Sequence, residues 1–150
     1  MDELDKRILR RLATDGRTSM SDLGDAVGLS PTPTARRVRA LEETGVIAGY
    51  SARFDDEKLG YPVTVFVSVQ LDKQIDEALA NFEQAISAFE EVVDCWLMTG
   101  TRDYLMRVST VDLKEFERFL THRLTKVRGV ASIESSIPLR RVKANASRTP

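Results

Sequence analysis

The sequence predicts an α+β chain in two parts: three short helices within residues 1–53 and a βαββαβ unit over residues 62–141. Three observations predict it. Apolar residues recur at helical spacing in three stretches before Gly45. Residues 62–71, PVTVFVSVQL, then switch to two-residue alternation, the period of a strand with one buried face. Beyond them, helix-like and strand-like stretches follow in the order helix, strand, strand, helix, strand.

Leu4, Ile8, Leu9 and Leu12 form one apolar stripe, giving a helix from about Leu4 to Thr14. Asp2 is its N-cap, and Asp15-Gly16 ends it. Ser19 or Ser21 starts the second helix, with Met20, Leu23, Ala26 and Val27 inward and Gly28 as its stop. Leu29 tucks under the turn, and the small Ala26 and Gly28 let the second and third helices approach closely. The third helix follows at once over residues 31–44, with Ser30 and Thr32 as N-cap candidates and Pro31 and Pro33 in its first turn. Ala35, Val38 and Leu41 mark its inner face, and Gly45 stops it. At about 100° per residue, Pro33, Arg36 and Ala40 then point outward, flanked by Thr32 and Arg37. Val46 and Ile47 close the small core.

Three short helices with a tight glycine turn before the third make a helix-turn-helix. Its outward face carries small residues, hydroxyls and two adjacent arginines, with no acid before Glu42. A DNA major groove accepts such a surface, since arginine and threonine reach base edges and phosphates. The alternative is a solvated surface helix or a protein-interaction module. Charge alone does not select DNA. The chain of 150 residues has a net charge of −1, and residues 1–60 hold ten Lys/Arg against eleven Asp/Glu. Affinity must therefore come from local placement and from joining several copies.

Ile47, Tyr50, Ala52 and Phe54 alternate partially, so residues 47–54 begin as a strand. Tyr50 and Arg53 are candidates either for DNA-backbone contact or for packing on the second part. Residues 54–61 form a charged link containing Asp55, Asp56 and Glu57. In the second part, Val63, Val65, Val67, Val69 and Leu71 face one way, and Ile75, Leu79, Phe82, Ile86 and Phe89 form a helical stripe. Val92–Met98 and Asp103–Ser109 are strands joined by the turn 99–102. Asp112 caps a helix with Leu113, Phe116, Phe119, Leu120, Leu124 and Val127 inward and Gly129 as its stop, and Val130–Arg141 is the last strand. The order is the ferredoxin-like plan, a four-stranded antiparallel sheet with helices on one face. The other face carries Phe66 or its neighbours with either Trp96 and Met98 or Cys95 and Leu97, too apolar to stay wet. Pairing of two sheets, face to face or edge to edge, predicts a homodimer. Residues 142–150 form a basic tail, in which Lys143 and Arg148 extend the charges of Arg140 and Arg141. Solvated tail and DNA-backbone contact are both open readings for it.

The remaining residues argue against catalysis. His122, the only histidine, lies opposite the apolar stripe of its helix, and Cys95 is the only cysteine. No metal site, cofactor loop or Ser/His/Asp set is evident. One cysteine excludes an internal disulfide and suits a reducing cytoplasm. The start MDELDKR is too acidic for a signal peptide, and no apolar run reaches membrane-spanning length.

Three stretches, LDKRILRRLATDGR, LSPTPTARRVRALEETGVI and TGTRDYLMRV, resemble in order the pattern of the Lrp/AsnC (leucine-responsive, feast-famine) transcription regulators. The resemblance covers essentially the whole chain. It implies a DNA-binding regulator that dimerises through its second domain, often assembles to octamers, and in many members binds an amino acid. It implies DNA contacts at Ser30, Thr32, Thr34, Arg36 and Arg37. It also implies an effector pocket at Thr99, Gly100, Thr101, Asp103 and Tyr104, completed between subunits by Ser135 and Ser136. That chemistry is sensible: Gly100 lets a ligand approach the backbone, turn amides bind a carboxylate, and Asp103 pairs with an ammonium. The bland alternative is a good hairpin turn. Two rival functions share the plan. One is an architectural DNA-binding protein of low specificity. The other resembles the sirohaem decarboxylases, whose tetrapyrrole substrate needs a large pocket with several cationic and histidine groups, whereas this chain has one histidine and keeps an arginine-bearing third helix.

Overall fold

A computed structural model describes residues 1–144 and residue 150. The chain falls into two compact units, Met1–Arg53 with Val142–Pro150, and Phe54–Arg141.

In the first unit, α1 (Glu3–Thr14), α2 (Met20–Val27) and α3 (Pro31–Glu43) pack around Ile8, Leu23, Val27, Val38 and Leu41. Asp2 and Asp5 make a reciprocal capping box on α1, and Ser19, not Ser21, caps α2 by accepting from the Asp22 amide. Gly28 ends α2 at φ 78°, in the left-handed region that glycine tolerates. Two inner positions differ from the sequence reading. Ala26 is exposed, and the small residue at the α2–α3 contact is the buried Gly24. Ala35 is also exposed, and Thr34 takes its place in the core at 0% exposure. The reason is helical drift: an i, i+3, i+6 repeat falls behind by about 60° per step, whereas Thr34, Val38 and Leu41 at i, i+4, i+7 stay on one face. Threonine is accepted there because its hydroxyl donates to the Ser30 carbonyl at 2.9 Å. Ile47 packs on this core, while Val46 remains 51% exposed.

Residues 47–54 form no strand. No strand among the described residues pairs with them, and Tyr50 and Phe54 stay exposed. Residues 55–60 are a compact turn rather than an open link, with the Tyr61 amide donating to the Asp56 carbonyl at 2.8 Å.

The second unit comprises β1 (Val63–Leu71), α4 (Asp76–Ser87), β2 (Val92–Leu97), β3 (Tyr104–Thr110), α5 (Leu113–His122) and β4 (Val130–Ser136), with a 3₁₀ turn at Leu124–Lys126. The sheet order is β2-β3-β1-β4, all antiparallel. Its inner face presents Val65, Val67, Val69, Met106 and Val108 to Phe82, Ile86, Phe116 and Phe119. Each such side chain contributes about 1.5–3 kcal/mol when fully buried. Ile75 and Leu113, expected inward, are the N-cap of α4 and the first residue of α5, and both are more than half exposed. β4 stops five residues early because its pairing with β1 ends at Phe66↔Ser136 and Pro138 has no N–H to offer.

The register resolves the open face of the sheet. Trp96 pairs with Leu105 and Cys95 with the buried Met106, so Trp96 and Met98 lie outward with Leu105 and Phe66. Trp96 is 47% and Met98 43% exposed. Arg107 crosses this face in a 2.6 Å ion pair with Asp94, and Asp56 stands 3.7 Å away. The acidic 55–57 run thus has a structural use.

Candidate nucleic-acid interface and the β2–β3 turn

Ser30 has N-cap backbone geometry, φ −74° and ψ 161°, yet its side chain accepts no cap hydrogen bond. The sequence explains this. An N-cap hydroxyl accepts from the second or third helical amide, and the third helical residue is Pro33, which has none. The Ser30 hydroxyl is therefore left at the surface beside exposed Thr32. Arg36 and Arg39 are exposed and form no ion pair among the described residues. With Thr34, Val38 and Leu41 inward, Thr32, Arg36 and Arg39 share the opposite face. Arg39 is the residue the sequence reading missed. The i, i+4, i+7 stripe, had it been taken through Thr34, would have found it.

Two expected contacts are corrected. Thr34 is fully buried and bonded to Ser30, so it offers nothing to a ligand outside. Arg37 is half-buried, and its Nη1 donates to Asp2 Oδ2 at 2.8 Å and to Asp5 Oδ1 at 2.7 Å. The Asp5 amide and then the Arg37 guanidinium hold the Asp2 carboxyl below its ordinary 3.8.

In the second unit, the residues of the expected pocket separate into two sets. Thr99, Gly100 and Thr101 are exposed at the β2–β3 turn, where Gly100 takes φ 118°. Asp103 and Tyr104 are buried instead, at 3% and 1% exposure. Asp103 Oδ2 accepts the buried Leu71 amide at 2.7 Å, and Oδ1 accepts Gln74 Nε2. The Asp103 carboxylate is thus committed to tying the hairpin to the end of β1, and does not face an outside ammonium. The Tyr104 ring lies 4.5 Å from that of Phe82, and its hydroxyl donates to Glu83 Oε1 at 2.8 Å. It lines a cleft of about 200 Å³ with Glu83, Ile86, Ser87, Cys95 and Leu97. Burial and then Glu83 push the Cys95 thiol up to about 11, so it is not a thiolate at neutral pH.

Ser135 and Ser136 pair with Val67 and Phe66, away from the turn, whose level on β4 is set by Ile133 opposite Val69. The β4 residues tied to the turn are Ser132 and Glu134, which accept from Arg102 Nη1 and Nη2 at 2.5 and 2.9 Å. Arg102 thus braces the turn across the sheet. His122 is exposed, and no group of three potential metal ligands exists among the described residues. Arg140, Arg141 and Lys143 are exposed, while Arg148 lies outside the described residues. No helix among the described residues is long and apolar enough to cross a membrane.

Two known domain models match the chain. The AsnC-type helix-turn-helix domain matches residues 1–42, and the Lrp/AsnC ligand binding domain matches residues 64–147. The Bkd operon transcriptional regulator of Pseudomonas aeruginosa is 50% identical, over 95% of this chain and 93% of its own. The leucine-responsive regulatory protein of Haemophilus influenzae is 36% identical, over 95% and 86% respectively. Among solved structures, a transcriptional regulator from Neisseria meningitidis in complex with L-Met superimposes with a TM-score of 0.94 at 30% identity, covering 99% of this chain and 96% of that one. The relatives are named as transcriptional regulators. With an AsnC-type helix-turn-helix followed by the family's ligand-binding domain, the chain belongs to the Lrp/AsnC family of transcriptional regulators.

Proposed function

We propose that the protein reads a specific operator through α3 and changes its DNA affinity when an amino acid binds at the β2–β3 turn. The observation that carries the DNA half is the outward face of α3. Ser30, Thr32, Arg36 and Arg39 share it, exposed and without an intramolecular ion pair among the described residues. Hydroxyls and arginine together suit phosphate positioning and base readout. The effector half rests on the exposed Thr99-Gly100-Thr101 turn, braced by Arg102, and on the L-Met bound by the Neisseria relative. Turn amides and hydroxyls supply donors for a carboxylate. The protein acts as a homodimer through the open sheet face, where Trp96, Met98, Leu105 and Phe66 lie together, with octamers as the next assembly. Two α3 helices then address successive major grooves. A reducing cytoplasm suits its free Cys95.

The test is a fluorescence-anisotropy titration at near-physiological salt. A 30-base-pair duplex selected by the protein from a random pool is compared with its scrambled counterpart, with and without a mixture of amino acids. Preference for the selected duplex that moves with the mixture is the expected result. Arg36→Ala weakens selected binding by about 1–3 kcal/mol if the guanidinium reads a base. If it holds a phosphate, both duplexes weaken alike and the salt slope falls by about 1. Equal binding of the two duplexes by the wild-type protein favours the architectural reading. On the open face, Trp96→Lys is expected to slow association and shift sedimentation toward monomer. An unchanged sedimentation profile removes this face as the dimer contact.

A further inference from the structure

Arg37 is the one arginine among Arg36, Arg37 and Arg39 that the chain holds by acids. The way it is held is specific. Asp2 Oδ1 accepts the Asp5 amide at 2.9 Å, and Asp5 Oδ2 accepts the Asp2 amide at 2.8 Å, which closes the cap of α1. The remaining oxygen of each carboxylate takes Arg37 Nη1. All four oxygens are therefore used, and the cap of α1 and the flank of α3 form one hydrogen-bonded network. The Asp5 side chain is only 14% exposed, so its charge is poorly solvated without this partner.

We infer that Arg37 is a positioning residue, which keys α3 to the capped start of α1, and that Asp2 and Asp5 set DNA specificity without touching DNA. The inference rests on the reading of α3 as the recognition helix. Two acids around one arginine leave a local charge of about −1. A DNA phosphate drawing Arg37 away would face both carboxylates at close range. Base readout, in contrast, needs the contacting side chains held within about 0.5 Å of their productive positions. Thr34, Val38 and Leu41 bury one face of α3, and a roll of the helix about its axis would carry Arg36 and Arg39 with it. A charge-assisted clamp on its flank opposes that roll.

The experiment uses the full-length protein, the selected 30-base-pair duplex and its scrambled counterpart, titrated by anisotropy between 50 and 200 mM salt, on the order of the range where phosphate contacts show. Arg37→Ala is expected to weaken selected binding about tenfold, to leave scrambled binding as in wild type, and to keep the salt slope. Asp5→Asn is expected to give the same loss, and the double variant no more than either single one, because one clamp is broken in all three. Asp2→Asn, which still caps a helix, and Arg37→Lys keep the fold and give intermediate losses. The inference is overturned if Arg37→Ala weakens both duplexes equally and lowers the salt slope by about 1 while Asp5→Asn behaves as wild type, since Arg37 then holds a phosphate. Additive losses in the double variant overturn it as well. Arg36→Ala and Arg39→Ala report separately on the recognition helix. If both leave both duplexes unaffected, α3 is not the reading helix and this inference falls with that assignment.

Discussion

Gly24→Ala is expected to unfold the first unit at temperatures the wild-type protein tolerates, and to abolish DNA binding with it. A Cβ on Gly24 lies 2.5 Å from the Leu29 carbonyl oxygen and 3.1 Å from Thr34 Oγ1. Neither neighbour can step aside cheaply. Leu29 is backbone, and its own amide donates to the Gly24 carbonyl at 2.9 Å. The Thr34 hydroxyl is tied to Ser30. α2 and α3 must therefore separate, which opens the core at Leu23 and Val38. Overpacking against backbone that cannot move lies at the upper end of the usual range, about 3 kcal/mol, and alanine's better helix propensity returns about 1. A unit of this size has little stability to lose. A net loss of about 2 kcal/mol lowers its melting temperature by roughly 10 °C. The measurement is far-ultraviolet circular dichroism against temperature, alongside the fluorescence of Trp96, the only tryptophan, which sits in the second unit. The dichroism transition is expected to move and the Trp96 transition to stay. Ala26→Ser, at an exposed position two residues away, serves as the control and is expected to change neither. If Gly24→Ala melts as wild type does, the close approach of α2 and α3 is not a constraint.

The same position shows where sequence reading succeeds and fails. Periodicity located all three helices, because Ile8, Leu23, Val38 and Leu41 are apolar and their spacing reports the buried face directly. It misjudged the two small or polar members of that face. Gly24 contributes nothing to a hydrophobic count, yet it lies on the Met20–Leu23–Val27 stripe. Thr34 reads as a surface hydroxyl until its bond to Ser30 is seen. That single misassignment turned the expected outer face of α3 and hid Arg39. In the second unit, alternation in β1 gave its inner residues correctly, and the register alone chose Trp96 over Cys95. Pairings between distant polar groups left no trace in spacing. Arg37 with Asp5, Arg102 with Glu134 and Asp103 with Leu71 each span about thirty residues. For this reason the local caps Asp2, Gly28 and Asp112 were legible and the commitments of the candidate site residues were not.

Asp103→Ala is expected to destabilise the second unit, so any loss of amino-acid response in that variant does not by itself mark a ligand contact. The carboxylate is 3% exposed and accepts the Leu71 amide at 2.7 Å together with the Gln74 side chain. Removing it leaves a buried N–H at the end of the central strand β1 without a partner, at about 1–3 kcal/mol. The backbone of the same residue links the two neighbouring strands, its amide donating to Val69 and its carbonyl accepting from Met98. Loosening the side chain therefore frees the whole turn that carries Thr99, Gly100 and Thr101. The Trp96 fluorescence transition is expected to fall by roughly 10 °C, with the first-unit transition unmoved. Asp103→Asn keeps an oxygen for the Leu71 amide and is expected to recover most of that loss. Thr99→Val and Thr101→Val test the ligand surface itself, because both side chains are exposed. They are expected to weaken the response of DNA binding to amino acids while the Trp96 transition stays as in wild type. If instead Asp103→Ala melts like the wild-type protein and loses only the amino-acid response, the carboxylate reaches the ligand. The turn must then open on binding, since in the closed arrangement Asp103 is only 3% exposed.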